Sequence, residues 1–356
     1  LTAELFLENS LHRWETFLTK NTIKALARLP LFELNKSLAK VNTAQLKEPH
    51  LVQFYNRFAT YNGSSPFQTP GIMTLVQHLE SEYGTFIPEG GMEQISQSLF
   101  QLAKRQGVKF YFNQKVTEIL HTKNEVTAVM VNKQKLLADV IVSNMDIFPT
   151  YRYLLPKAKA PEKILAQERS SSAVIFYWGI QKQFPALDLH NIFFSEDYQA
   201  EFNAIFNEHT LYDDPTIYVN ITSKDVPSDA PKGCENWFVM INTPADYEQD
   251  WETDIVSLRT KVLDKLEKWL NTSIRSHIVT EEVLTPPMIE TKTQSHLGAL
   301  YGASSNNKMA AFWRHPNFSR EFNNLYFCGG SVHPGGGIPL CLLSAKIVSD
   351  QLASLT

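Results

Sequence analysis

The sequence predicts a mixed α/β protein of two interleaved domains, and three observations carry that prediction. Near the end of the chain, Tyr326 to Cys328 reads as a short buried strand, five glycines follow within nine residues, and Ile338 to Leu352 has helical apolar spacing with Pro339 in its first turn. Further back, Ala138 to Val142 is a buried strand that ends in the polar turn residues Ser143 to Asp146. Between about 150 and 290 the character shifts to aromatic strands followed by one long amphipathic helix. At 356 residues the chain also exceeds what one hydrophobic core usually serves.

Taken in order, residues 1 to 45 read as helical, because Leu7, Leu11, Trp14 and Leu18 recur at spacings of four, three and four until Pro30 interrupts them. Lys20, Lys24 and Arg28 line another face beside Ile23, Leu26 and Leu29, as on an interfacial membrane helix, although a solvated face explains the same residues. Gln53 to Pro66 is aromatic-rich and reads as a helix running into a turn, with Arg57 among Phe54, Tyr55, Phe58 and Tyr61. Tyr83 to Met92 reads as a strand and a glycine turn. A helix follows, carrying Met92, Ile95, Leu99 and Leu102, with Gly107 as its C-cap. Val108 to Phe112, Val116 to Leu120 and Val126 to Val131 read as strands. The aromatic strands are Ala173 to Ile180, Thr216 to Ser223 and Asn236 to Thr243. Their covering helix places Trp251, Ile255, Leu258, Val262, Leu266 and Trp269 on one face.

Composition removes several function classes. Lys plus Arg number 33 against 37 Asp plus Glu, so the net charge of -4 offers no overall attraction to nucleic acid, and any membrane contact must be local. Cys234, Cys328 and Cys341 have no metal-ligand spacing and read as the reduced cysteines of a cytoplasmic protein. No apolar run is long enough to span a bilayer. There is no His-Glu-x-x-His, Gly-x-Ser-x-Gly or Walker loop, and the ten histidines lack metal-ligand spacing, so no metal is expected. His296, His315 and His333 read as packed histidines rather than general bases.

The string Leu325-Tyr326-Phe327-Cys328-Gly329-Gly330-Ser331-Val332-His333-Pro334-Gly335-Gly336-Gly337-Ile338-Pro339, with Ser344-Ala345-Lys346 after it, resembles the C-terminal signature of the bacterial-type phytoene desaturase family, FAD-dependent enzymes of carotenoids. The resemblance covers nearly the whole chain and is strongest at 54 to 66, 84 to 92, 139 to 146 and 325 to 346. It implies an FAD-dependent oxidoreductase fold, with a truncated Rossmann-like FAD-binding domain interleaved with a sheet-plus-helix substrate domain. Residues 1–75 would be a helical substrate- or membrane-facing part, 76–148 and 290–356 the FAD-binding domain, and 149–289 the substrate domain. The resemblance places Gly329, Gly330, Ser331, Gly337, Ile338 and Pro339 along the flavin. It sets Val116 against the adenine and puts Arg57 at the active-site cavity, as a catalytic residue or, on the blander reading, an ion-paired arginine at the domain boundary. The family opens on a strand, Gly-x-Gly-x-x-Gly and helix. This chain begins at Leu1 with nothing of that form in its first hundred residues, so it is expected to be a fragment that binds FAD poorly.

The activity implied is desaturation of a carotenoid, with FAD as hydride acceptor, at the cytoplasmic face of the cell membrane, where the protein would sit peripherally. The aromatic segment 172 to 180 and Asn236 to Asn242 resemble desaturases of hydroxylated or monocyclic carotenes more than those of phytoene. Carotenoid isomerases and retinol saturases have similar termini. A truncated lipid-binding module without flavin is a reading from another class. An amine oxidase is disfavoured, because Ser331 follows Gly330 where that relative usually carries an acidic residue against the cofactor.

Overall fold

A computed structural model describes residues 7–20, 22, 24, 28 and 32–354. Its helices include α1 (Leu38–Gln45), capped by the Ser37 hydroxyl on the Lys40 amide, and α2 (Pro49–Asn56), capped by the Glu48 carboxylate on the Leu51 amide. α3 (Thr74–Tyr83) and α4 (Glu93–Arg105) follow. A small antiparallel sheet comes next, built from β1 (Val116–His121), β2 (Val126–Val131) and β3 (Gln134–Leu137) in that order. β4 (Ile141–Ser143) then starts a second, parallel pair.

The largest sheet is antiparallel, in the order β6 (His190–Phe193), β7 (Ile217–Asn220), β8 (Glu235–Thr243), β5 (Ser172–Ile180), β9 (Ile278–Leu284). Burial alternates strictly along β8, as a strand covered on one face requires. Trp237, Val239 and Ile241 point into a core shared with Phe176 and Trp178 of β5 and with Leu258, Val262 and Leu266 of the long helix α6 (Trp251–Leu270). The short helix α5 (Tyr198–Asn203) lies in the connection between β6 and β7.

After this excursion the chain returns to the small sheets. β10 (Leu325–Phe327) pairs with β4 in parallel register, Leu325 with Ile141 and Phe327 with Ser143, and α7 (Ile338–Ala353) closes the chain. Asn324 locks the return: its side chain accepts from the Val126 amide at 2.8 Å and donates to the Val126 carbonyl at 2.8 Å. Ile119, Val126, Ile141, Phe322 and Phe327 share one buried cluster, with Val116 packed against its edge. Segments some two hundred residues apart in sequence thus form one core.

Several sequence expectations need correction. Val108 to Phe112 is not a strand: the Val108 amide donates to the Ala103 carbonyl of α4 at 3.0 Å, no strand pairs with the segment among the described residues, and Phe110 and Phe112 gather on Phe100 of α4, at centroid distances of 4.5 and 5.9 Å. Tyr83 is the last residue of α3, and Gly84 at φ +77° begins an irregular run rather than a strand. In the N-terminal region Trp14–Leu18 is a 3-10 segment, in which Trp14 and Leu18 are exposed while Leu11 is buried, and the described residues Lys20, Thr22 and Lys24 are helical. Hydroxyls bond the backbone where the two meet, Thr16 Oγ1 donating to the Ser10 carbonyl at 2.8 Å and Thr22 Oγ1 to the Thr16 carbonyl at 2.7 Å. In the last turn of α6 it is Leu270 that packs against the core, and Trp269 is exposed. Ile23, Leu26 and Leu29 lie outside the described residues, whereas Lys20, Lys24 and Arg28 are exposed.

Candidate functional site

Where β10 ends, residues 328–337 form a loop held from two sides before α7 begins. On the inner side, the buried Asn317 amide donates to the His333 carbonyl at 2.8 Å and to the Ser344 hydroxyl at 2.9 Å. Ser344, on the inner face of α7, in turn accepts from the Gly329 amide at 3.1 Å. On the other side Ser331 Oγ accepts from the Ile147 amide at 3.0 Å, which ties the loop to the residues following β4. Gly329 has φ +109°, and a Cβ there would stand 2.6 Å from Asn144 Nδ2. Gly330 is in close contact with Gly336. These bonds set the loop's shape before any ligand arrives.

Gly337 and the start of α7 differ from the rest of the loop. Gly337 has φ +103°, a Cβ placed on it would meet nothing within 4 Å, and it caps α7 without a side-chain hydrogen bond. Ile338 and Pro339 follow it, exposed. Bare backbone, open space and a helix N-terminus therefore coincide at one edge, a setting that suits a flat, electron-rich group. Gly329, Gly330, Ser331, Gly337, Ile338 and Pro339 thus form one continuous structure. Val116 starts β1 and packs at the edge of the core to which Phe327 and Val332 also belong.

Arg57 lies elsewhere on the chain, in the turn of 3-10 helix after α2, and is 7% exposed. No carboxylate stands within ion-pairing distance of it among the described residues, so the expectation of a paired boundary arginine is corrected. Arg169 fills that role instead, paired with Asp146 where both side chains are buried. The Arg57 guanidinium carbon lies 5.9 Å from the centroid of the Tyr218 ring. Its charge also reaches Tyr61, Tyr198 and Tyr301, opposing the rise that burial imposes on each phenol. Tyr301 connects this cluster to the glycine loop, since a Cβ on Gly336 would fall 2.8 Å from Tyr301 Cα and Cβ.

The sheet supplies the remaining wall. α6 covers one face, while on the other Tyr218, Phe238 and Tyr177 form a row with centroid separations of 6.3 and 5.5 Å. This row leads into a cleft of about 700 Å³ bordered by Tyr177, Phe238, Asn220, Asn236 and Glu282. The three singled-out histidines are packed. His315 Nδ1 bonds the Pro316 carbonyl at 2.7 Å, His333 Nε2 bonds the Asn9 carbonyl at 2.9 Å, and the His296 ring stacks on Phe148 at 3.5 Å. Burial lowers each of them to about 4. Sequence reasoning missed Asn317, Asn324 and Tyr301. Nothing in the surrounding residue pattern distinguishes a buried asparagine hub from an ordinary loop asparagine. Among the described residues no group of three or more His, Cys, Asp or Glu could hold a metal, and no helix is long and apolar enough to cross a membrane.

Comparison with known proteins agrees with this geometry. The family profile described as flavin containing amine oxidoreductase matches residues 7–353. A 1-hydroxycarotenoid 3,4-desaturase of Flavobacterium sp. (strain P99-3) is 58% identical over 351 residues, covering 99% of this chain and 72% of its own length. A 4,4'-diaponeurosporene oxygenase of Staphylococcus aureus (strain MSSA476) is 37% identical over 312 residues, covering 86% of this chain and 63% of its own length. Among solved structures, an oxidoreductase from Methanosarcina mazei superposes with a TM-score of 0.59 at 14% identity, over 96% of this chain and 75% of the other. A putrescine oxidase variant gives 0.55 at 9% identity, over 99% and 72%. These two likenesses show the fold. The chain belongs to the flavin-containing amine oxidoreductases, within their carotenoid desaturase group.

Proposed function

We propose that this protein is an FAD-dependent desaturase that introduces a carbon–carbon double bond into a carotenoid, and that its substrate is a hydroxylated one. The observation that carries this reading is the uncovered aromatic face of the five-stranded sheet, which leads through Tyr218 and Tyr301 to the bare backbone of the glycine loop. The 58% identity to a 1-hydroxycarotenoid 3,4-desaturase supports the substrate class.

The residues present fit a flavin. Gly337 offers open space on its Cβ side, and α7 begins without a side-chain cap, so its first amides remain available to a negatively charged ring edge. On this reading Gly329, Gly330, Ser331, Gly337, Ile338 and Pro339 hold the flavin end of FAD, and Val116 meets the adenine. When bound, the flavin supplies the hydride acceptor. The chain's own residues then have three tasks. Tyr177, Phe238 and Tyr218 hold an apolar chain extended along the sheet and exclude water from it. Asn317 and Ser344 keep the loop rigid, so that its backbone stays in register with the ring. Arg57 supplies the fixed positive charge of the cavity. His315 and His333 stay neutral and engaged with backbone carbonyls, which leaves the reaction with little acid-base machinery.

The same reading draws the substrate from a bilayer at the cytoplasmic face, with Lys20, Lys24 and Arg28 as the contact. The test is to purify the full-length protein in which this chain occurs and record its flavin absorbance. It is then incubated with a hydroxylated carotene in vesicles under an electron acceptor. Desaturation is expected as a red shift of the polyene band. A protein that takes up no flavin and shifts no polyene overturns the proposal and favours a lipid-binding role.

A further inference from the structure

We infer that Arg57 recognises an uncharged oxygen at the end of the substrate, so that the site selects an oxygenated polyene over the corresponding hydrocarbon. This rests on the desaturase reading above and adds to it the residue that reads the end group. Arg57 Nη1 is buried without a hydrogen-bond partner, and no carboxylate lies within ion-pairing distance among the described residues. Arg169 and Arg314 each leave one buried nitrogen unbonded as well, but each is anchored by at least one partner, Arg169 by Asp146 and Arg314 by the Ser305 hydroxyl at 3.1 Å, as a buried arginine that serves only the fold normally is. Arg57 Nη1 is thus an unused donor, and the Tyr198 hydroxyl beside the guanidinium is likewise buried without a partner, so two polar groups converge on one vacant position.

Its surroundings define the acceptor that fits there. Glu201 is buried close enough to feel the Arg57 charge, yet its carboxylate is already taken by the Thr216 amide at 2.8 Å, Thr216 Oγ1 at 2.6 Å and Ser195 Oγ at 2.9 Å. None of these bonds reaches Nη1. Burial raises the Glu201 carboxyl, so this dry region disfavours a negative charge, and the lone pair of a hydroxyl or carbonyl oxygen fills the vacant bond without bringing one in. Tyr218, 5.9 Å below the guanidinium, opens the aromatic row of Phe238 and Tyr177. A long apolar chain lying on that row would bring an oxygen at its end to Arg57.

The experiment uses the flavin-loaded protein with Arg57→Met and Arg57→Lys, each assayed for kcat/KM on a hydroxylated carotene and on the hydrocarbon of the same length. Binding of each polyene is read separately by quenching of protein fluorescence. The unaltered protein should prefer the hydroxylated substrate at least about tenfold, since a site built to bond a hydroxyl rejects the analogue lacking it. Arg57→Met should bring that ratio near unity, and Arg57→Lys should restore part of it. Equal loss on both substrates, or an unchanged ratio, overturns the inference. If Arg57→Met does not fold, the ratio in Arg57→Lys decides. If no polyene is desaturated, the function reading falls. Hydroxyl-dependent binding that Arg57→Met abolishes would still support the recognition role, and its absence would overturn it.

Discussion

Gly336 and Gly337 are neighbours under opposite constraints. A Cβ on Gly336 would strike Tyr301, so its smallness serves protein packing, while a Cβ on Gly337 would meet no protein atom at all. What Gly337 provides is backbone at φ +103° with ψ 147°, a region open essentially to glycine, in which another residue costs roughly 1–3 kcal/mol. Gly337→Val should therefore lose flavin absorbance while keeping its far-ultraviolet circular dichroism, with melting lowered only by that strain. Flavin retained at full occupancy would show that the loop merely joins strand to helix. The run of glycines in this loop is visible in the sequence. Which glycine faces empty space and which faces Tyr301 is not, because that depends on a chain segment more than thirty residues away.

At the level of elements, the N-terminal stripe carries the membrane proposal. Lys20, Lys24 and Arg28 are exposed, and a basic residue near an anionic surface contributes on the order of 1 kcal/mol. Replacing all three with Glu should weaken co-sedimentation with anionic vesicles by about a hundredfold or more, and leave the weak binding to neutral vesicles as it was. Unchanged co-sedimentation would move the docking surface elsewhere on the molecule. The secondary structure around this stripe shows where local pattern misleads. Leu7, Leu11, Trp14 and Leu18 have helical spacing, yet Trp14–Leu18 is a 3-10 turn and only Leu11 of the four is buried, whereas Lys20 and Lys24 of the stripe itself are helical. By contrast β5, β8 and α6 lie where the alternation and the helical stripe predicted them, because each buries a complete apolar face.

Across the molecule, three histidines join distant segments. His12 bonds the Phe312 carbonyl at 3.2 Å, His333 bonds the Asn9 carbonyl, and His315 meets the Tyr151 hydroxyl at 3.3 Å. Burial lowers all three, His315 and His333 to about 4, with the nearby Arg320 and Arg314 charges acting in the same direction. The folded values lie below the ordinary 6.5, so the unfolded chain binds protons first. Stability is then complete above about pH 6.5 and falls as pH drops toward 4, by about 1.4 kcal/mol per unit for each of His315 and His333, with His12 acting in the same direction. The melting temperature should decline steeply over that window, and His333→Gln should make the decline shallower. A flat profile between pH 7 and 4.5 would mean that these rings are charged in the folded protein.

By itself the sequence determined the class of fold, the strand, glycine loop and helix at its end, the resemblance to carotenoid desaturases, and the covered face of the aromatic sheet. Each of these is written in local periodicity or in one contiguous string, such as 325 to 346. Only the tertiary structure decided that β10 lies beside β4, that Asn317 and Asn324 hold the return of the chain, and that Arg57 stands unpaired over Tyr218. It also decided that Val108 to Phe112 gathers on Phe100 rather than forming a strand. The physical reason is the same in each case: a strand needs a neighbour for its backbone, an asparagine needs a carbonyl to bond, and an arginine is paired or free according to what folds against it. Those partners come from segments far away in the chain, which no local pattern specifies.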